Sequence, residues 1–119
     1  MPRTIVDFDT VRKLASGLGE VQEATGSPAL KARGKLMAWI PINKSAEPGS
    51  LAVRIDMDNR AELIAAAPDV YYVTKHYMNY PTVLVRLGRI HPDALKDLLG
   101  MAWSFVTAKA VKGKRRAGG

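Results

Sequence analysis

The sequence predicts an α+β fold, a largely antiparallel sheet of five to six strands with helices packed on one face, and three observations carry that expectation. Apolar residues recur at helical spacing near both ends of the chain and at a spacing of about two through its middle. The segments joining the strands are mostly too short for a parallel crossover, so neighbouring strands should run antiparallel.

Asp7 can cap a first helix in which Phe8, Val11, Leu14, Ala15 and Leu18 share a face, with Gly19 placed to stop it after Leu18. Three short strands follow, Val21 to Thr25, Ala29 to Arg33 and Lys35 to Ile40, broken at Gly26-Ser27-Pro28 and at Gly34. After a loop at Asn43 to Gly49, Leu51, Val53 and Ile55 alternate with Ala52, Arg54 and Asp56 in a fourth strand. Asn59-Arg60-Ala61-Glu62 has the form of a capping box opening a short helix through Ile64, which Pro68 must end. Val70 to Thr74 and Thr82 to Leu87 read as strands, with Val83, Val85 and Leu87 on one face, and residues His76 to Pro81 between them as a turn or an edge crossing. Pro92 suits the first turn of a last helix whose Leu95, Leu98, Leu99, Ala102, Phe105 and Val106 form one apolar stripe. His91, just before it, reads as a cap or surface residue.

A chain of 119 residues has the size of one domain and can bury roughly two-thirds of its unfolded surface. The expected organisation is one domain over residues 1–108 and a basic tail over 109–119. The net charge is +7, yet residues 1–108 carry 13 basic against 11 acidic side chains, and the tail holds Lys109, Lys112, Lys114, Arg115 and Arg116 with no acid. Such a cluster is a counter-charge for phosphate, or else a solvated tail that aids solubility. With no cysteine, disulfides, thiolate metal sites and a cysteine nucleophile are excluded. No stretch approaches the ~18 apolar residues of a membrane span and the amino end lacks a signal-peptide core, so the expectation is a cytoplasmic protein with no membrane partner.

Four phrases, in their order and spacing, resemble the MmcQ/YjbR family of small bacterial proteins. They are Gly26-Ser27-Pro28-Ala29-Leu30-Lys31-Ala32-Arg33-Gly34-Lys35, Val73-Thr74-Lys75-His76-Tyr77, Tyr80-Pro81-Thr82-Val83-Leu84-Val85-Arg86-Leu87, and Leu95 to Ala102 with Trp103. The resemblance spans about residues 7–107; Lys75 departs from the Pro often found before the His in that family. It implies a CyaY-like α/β sandwich and DNA binding through a double-wing arrangement, and it brings no catalytic motif. Frataxin-type relatives of that fold bind iron through an acidic ridge on the first helix and strand; here Arg12 and Lys13 interrupt Asp7, Asp9, Glu20 and Glu23, so no metal site is expected.

Strand alternation places Ala29, Lys31 and Arg33 on one face and Lys35, Met37 and Trp39 on one face of the next strand, with Leu30, Ala32, Leu36, Ala38 and Ile40 toward the core. Joined at Gly34, these form a basic wing with an indole at its base, suited to phosphates and a stacked base, or else cations that guard an exposed hairpin edge. Arg54 and Arg86 point away from apolar triplets and could join Lys31 and Lys35 in one patch, or pair with acids on neighbouring strands. Lys75, His76, Tyr77 and Tyr80 crowd one turn in a mixture that suits a ligand or protein partner.

Ser16, Ser27, Ser45, Ser50 and Ser104 stand in no Gly-x-Ser-x-Gly elbow, and Gly17-Leu18-Gly19 follows a helix where a phosphate loop would precede one. The expectation is a non-enzymatic protein without a cofactor. Its first reading binds DNA through Lys31, Arg33, Lys35, Trp39, Arg54, Arg86 and the tail residues Lys112, Lys114, Arg115 and Arg116. Its alternative is a protein- or small-ligand module built on Trp39 and the turn Lys75 to Tyr80.

Overall fold

In the computed structural model, residues 7–24, 28–42 and 44–108 are described. They form α1 (Phe8–Ala15), β1 (Val21–Glu23), β2 (Ala29–Ala32), β3 (Lys35–Trp39), β4 (Ser50–Arg54), α2 (Met57–Ala66), β5 (Tyr71–Tyr72), a 3₁₀ turn (Lys75–Tyr77), β6 (Thr82–Arg86) and α3 (Pro92–Thr107). The six strands make one sheet in the order β1-β2-β3-β4-β6-β5, with every neighbouring pair antiparallel. The α+β expectation therefore holds. Among the described residues no helix is long and apolar enough to cross a membrane.

Side chains from all three helices pack into one cluster on a single face of the sheet, around Leu30, Met37, Leu51, Val53, Val83, Val85, Leu95, Leu98 and Leu99. α3 presents the apolar stripe its spacing required, with Leu95, Leu98, Leu99, Ala102 and Val106 buried. His91 caps it, its Nδ1 accepting from the Asp93 amide at 3.1 Å, as expected of a residue before a helix-opening proline.

Several element boundaries shift by a few residues, β5 shortening to Tyr71–Tyr72, and two of the shifts have a clear cause. α1 ends at Ala15 rather than Leu18, because Ser16 closes it: its amide donates to the Arg12 carbonyl, and its hydroxyl donates to the Lys13 carbonyl. α2 opens at Met57, with Asp56 as its N-cap accepting from the Asn59 amide at 3.1 Å, so the Asn59 capping box is overturned by an acid three residues earlier.

The β2–β3 hairpin closes on Arg33 and Gly34, both at positive φ (52° and 80°), which matches the two-residue turn favoured by the twist of antiparallel strands. Beyond that turn the expected alternation breaks. Leu30 pairs with Ala38 but Lys31 pairs with Leu36, so Met37 is an extra residue in a β-bulge. The bulge turns Met37 and Ala38 both into the helix-side core, fully buried, and moves Leu36 to the opposite face. The outward placement of Lys35 and Met37 and the inward placement of Leu36 are thus corrected: Lys35, paired with Ala32, starts β3 on the helix side, while Trp39 keeps the outward face.

The outward face is not uniformly wet. At its centre Ala52, Leu84 and Tyr77 form a second buried cluster, with Trp39, Ala46, Tyr72 and Val73 packed against it. The 3₁₀ turn and the loop before β4 lie over β4 and β6, which is why both strands are buried on both sides. That cover stops at Trp39, leaving the outward side of β2 and the start of β3 open.

Candidate nucleic-acid interface

A groove of about 700 Å³ occupies this open region, where the edge of the cover meets β2 and β3. Lys31, Leu36 and Trp39 line it from the sheet, His76 and Tyr77 from the 3₁₀ turn, and Ile42, 97% exposed, from the segment after β3. The basic wing and the aromatic turn, far apart in sequence, thus supply opposite walls of one site. Tyr77 links them: its ring lies 6.3 Å from that of Trp39, and His76 meets it edge-on at 4.6 Å.

Arg54 flanks the same indole, its guanidinium carbon 5.7 Å from the Trp39 ring centroid. Lys31 pairs with Leu36 and Arg54 with Thr82 across the sheet, and Leu36 borders both the groove and a smaller pocket that holds Arg54 and Lys35. Lys31, Trp39 and Arg54 therefore follow one another along the open side of β2 to β4, whereas Lys35, paired with the core residue Ala32, enters the smaller pocket from the helix side beside Phe105 and Val106.

The other expected site residues go elsewhere. Arg33 lies in the hairpin turn, bound to Glu20 at 2.5 Å, with its guanidinium over Trp103, 5.9 Å away. Trp103 itself donates to the Gly19 carbonyl at 2.9 Å, so this set ties α3 to the loop before β1. Arg86 shares the outward face but stands four residues from Arg54 along the β4–β6 ladder. It binds both oxygens of Glu47 at 2.9 and 2.8 Å, donates to the Pro68 and Asp69 carbonyls, and covers Tyr72. One patch joining Arg86 to Lys31 is corrected on these grounds: its guanidinium is engaged within the fold. Tyr80 is 60% exposed and Lys75 is exposed, and neither lines the groove. Lys112, Lys114, Arg115 and Arg116 lie outside the described residues.

Hydrogen bonding from Arg86 is the main cause that holds the Glu47 carboxyl below its ordinary value of 4.5. A depressed carboxylate contributes stability above its unfolded value and loses it as pH falls through the folded one. Glu47→Gln should therefore cost stability at neutral pH, and the gap from the native chain should close as pH drops below about 4.5. Denaturant midpoints across that range check this; a gap independent of pH would contradict it.

Arg60 is the positioning residue the sequence did not reveal. One of its terminal nitrogens donates to the carbonyls of Tyr77, Tyr80 and Thr82 (3.2, 2.9 and 3.2 Å), and the other to Met78 at 2.9 Å. It thereby holds the whole 75–82 crossing, and with it the Tyr77 wall of the groove. Its sequence context marks a helix start and nothing more. Among the described residues no three His, Asp or Glu side chains gather as metal ligands.

Fold and site together define a small open-faced α+β protein with a surface groove of aromatic and basic side chains. The YjbR family model matches residues 16–105, and the chain belongs to that family. It is 36% identical, over 116 aligned positions covering 86% of this chain and 89% of the relative, to Uncharacterized protein Rv2570 of Mycobacterium tuberculosis and, with the same figures, to Uncharacterized protein Mb2600 of Mycobacterium bovis. The crystal structure of Deinococcus radiodurans protein DR2400, domain DUF419, superimposes with a TM-score of 0.71 at 21% identity, covering 92% of this chain and 85% of that one.

Proposed function

We propose that this protein acts by binding rather than catalysis, and that its ligand is a nucleic acid strand, DNA foremost, held with little sequence preference on the open sheet face. The observation that carries this reading is Trp39, flanked by the Arg54 guanidinium and opening on a groove that also holds Lys31, His76 and Tyr77. A half-buried indole at the floor of a groove, backed by the mostly buried Tyr77 ring, offers stacking surface to any base, and cations beside it meet the phosphates. The groove volume falls within the roughly 300–1,000 Å³ of small-ligand sites, enough for a base unstacked from its neighbours. A single strand fits this arrangement better than a duplex, whose bases are already stacked.

The test is anisotropy of a labelled single strand and of the matching duplex, titrated with the full chain from low to moderate salt. With Lys31 on one phosphate and Arg54 with Lys35 on another, log affinity should fall with log salt at a slope near −1.4, from about 0.7 per phosphate contact on a single strand. Binding that ignores salt would overturn the reading. It would favour instead a small-ligand module, supported by the apolar walls that Leu36, Ile40 and Ile42 add to the same groove.

A further inference from the structure

Beside Trp39 lies the second pocket, about 380 Å³, lined by Lys35, Leu36, Arg54, Phe105, Val106 and Ala108. Arg12, Arg33, Arg60 and Arg86 all close on carboxylates or carbonyls within the fold. Arg54 does not. It takes part in none of the ion pairs or hydrogen bonds among the described residues, and its Nε is buried without a partner. Among the described residues its ring contact is with Trp39, 5.7 Å from the centroid, which satisfies none of its donors. Lys35 is exposed on the same pocket and likewise enters none of those ion pairs.

A shielded, unsatisfied N–H on an arginine with no carboxylate partner among the described residues calls for an explanation, and an anion contact supplies one. The guanidinium fork matches tetrahedral oxyanions through paired N–H donors, and a lysine alongside adds a second charge. We infer that the Arg54–Lys35 pocket is a seat for one phosphate group: the Arg54 Nε and one terminal guanidinium nitrogen donate to two of its oxygens, and the Lys35 ammonium meets a third. The inference rests on the nucleic-acid reading only in naming a phosphodiester as the source; a free phosphate satisfies the same chemistry. The pocket and the aromatic groove share Leu36 as their common border, so a strand with its base in the groove has a phosphate within reach of Arg54.

The Arg54 side chain reports on this directly, because its water-shielded Nε–H exchanges slowly enough to be followed by NMR in the ¹⁵N-labelled full chain. Inorganic phosphate and a short single-stranded oligonucleotide are titrated separately, with sodium chloride at matched ionic strength as the control. The expected result is a saturable shift of the Arg54 resonance with both probes and none with chloride, the phosphate affinity dropping roughly two- to fivefold in Lys35→Gln. A shift with phosphate, without any oligonucleotide binding, upholds the seat for a free anion and sinks the nucleic-acid reading. If the oligonucleotide binds while the Arg54 resonance stays still with both probes, the seat is refuted and the reading survives. A resonance that chloride moves as far as phosphate also refutes it.

Discussion

Arg60→Ala should melt roughly 8–16 °C below the native chain, at about 4 °C per kcal/mol for a domain of this size. The magnitude follows from what the side chain holds. Its guanidinium serves four carbonyls in the 77–82 crossing; those of Met78 and Tyr80 can turn to water, whereas the bonds to Tyr77 and Thr82 are partly buried. Two hydrogen bonds to a charged donor, lost with their acceptors still shielded, cost about 2–4 kcal/mol. Arg60→Lys keeps the charge but not the fork, and should recover less than half of the loss. Hydrogen exchange should rise first at the amides of Tyr77, Met78 and Tyr80, each bonded to a carbonyl three residues back in the same crossing. A melting point within about 2 °C of native in Arg60→Ala would show that the crossing is held by other contacts.

Trp39→Ala should weaken single-strand binding by roughly 5- to 150-fold, the 1–3 kcal/mol of one base stacked on an aromatic ring. Its salt slope should stay as in the native chain, because no phosphate contact is removed. Lys31→Gln should show the opposite pattern, a modest loss of affinity with the slope reduced by about 0.7. Trp39→Phe, which keeps a ring, should fall between native and alanine. The indole is only half-buried, so the alanine variant should fold, and its melting curve is the control. If a folded Trp39→Ala bound single strands within twofold of native, stacking in the groove would be refuted.

The two experiments bear on one surface from different sides. Arg60 acts through Tyr77 and shapes the groove without touching it, whereas Trp39 is its floor. Loss of binding in Arg60→Lys, in a chain still folded at the temperature of the assay, would therefore report on the position of the turn and not on charge.

Much of this architecture was legible from the residues alone because it depends on local periodicity. The stripe of α3, the apolar Val83-Leu84-Val85 run of β6, the Asp7 cap and the His91-Pro92 helix start each follow from the spacing or stereochemistry of near neighbours, and each stands where expected. Lys31 was likewise legible as a site candidate from strand alternation, whereas Trp39, also expected outward, holds that face only because the bulge restores it.

What tertiary structure decided lies in contacts between residues distant in sequence. One extra residue, Met37, inverts the faces of β3 ahead of it, and no local signal distinguishes a bulge from a regular strand in Lys35-Leu36-Met37-Ala38-Trp39. The fate of the arginines is non-local in the same way. Arg33 meets Glu20, Arg86 meets Glu47 and Arg60 meets carbonyls of residues 77 to 82, while Arg54, among the described residues, meets an aromatic face and no acid or carbonyl. Long flexible side chains take whichever partner the fold brings within reach, so a sequence can count its cations but only the assembled sheet determines which stay free to bind.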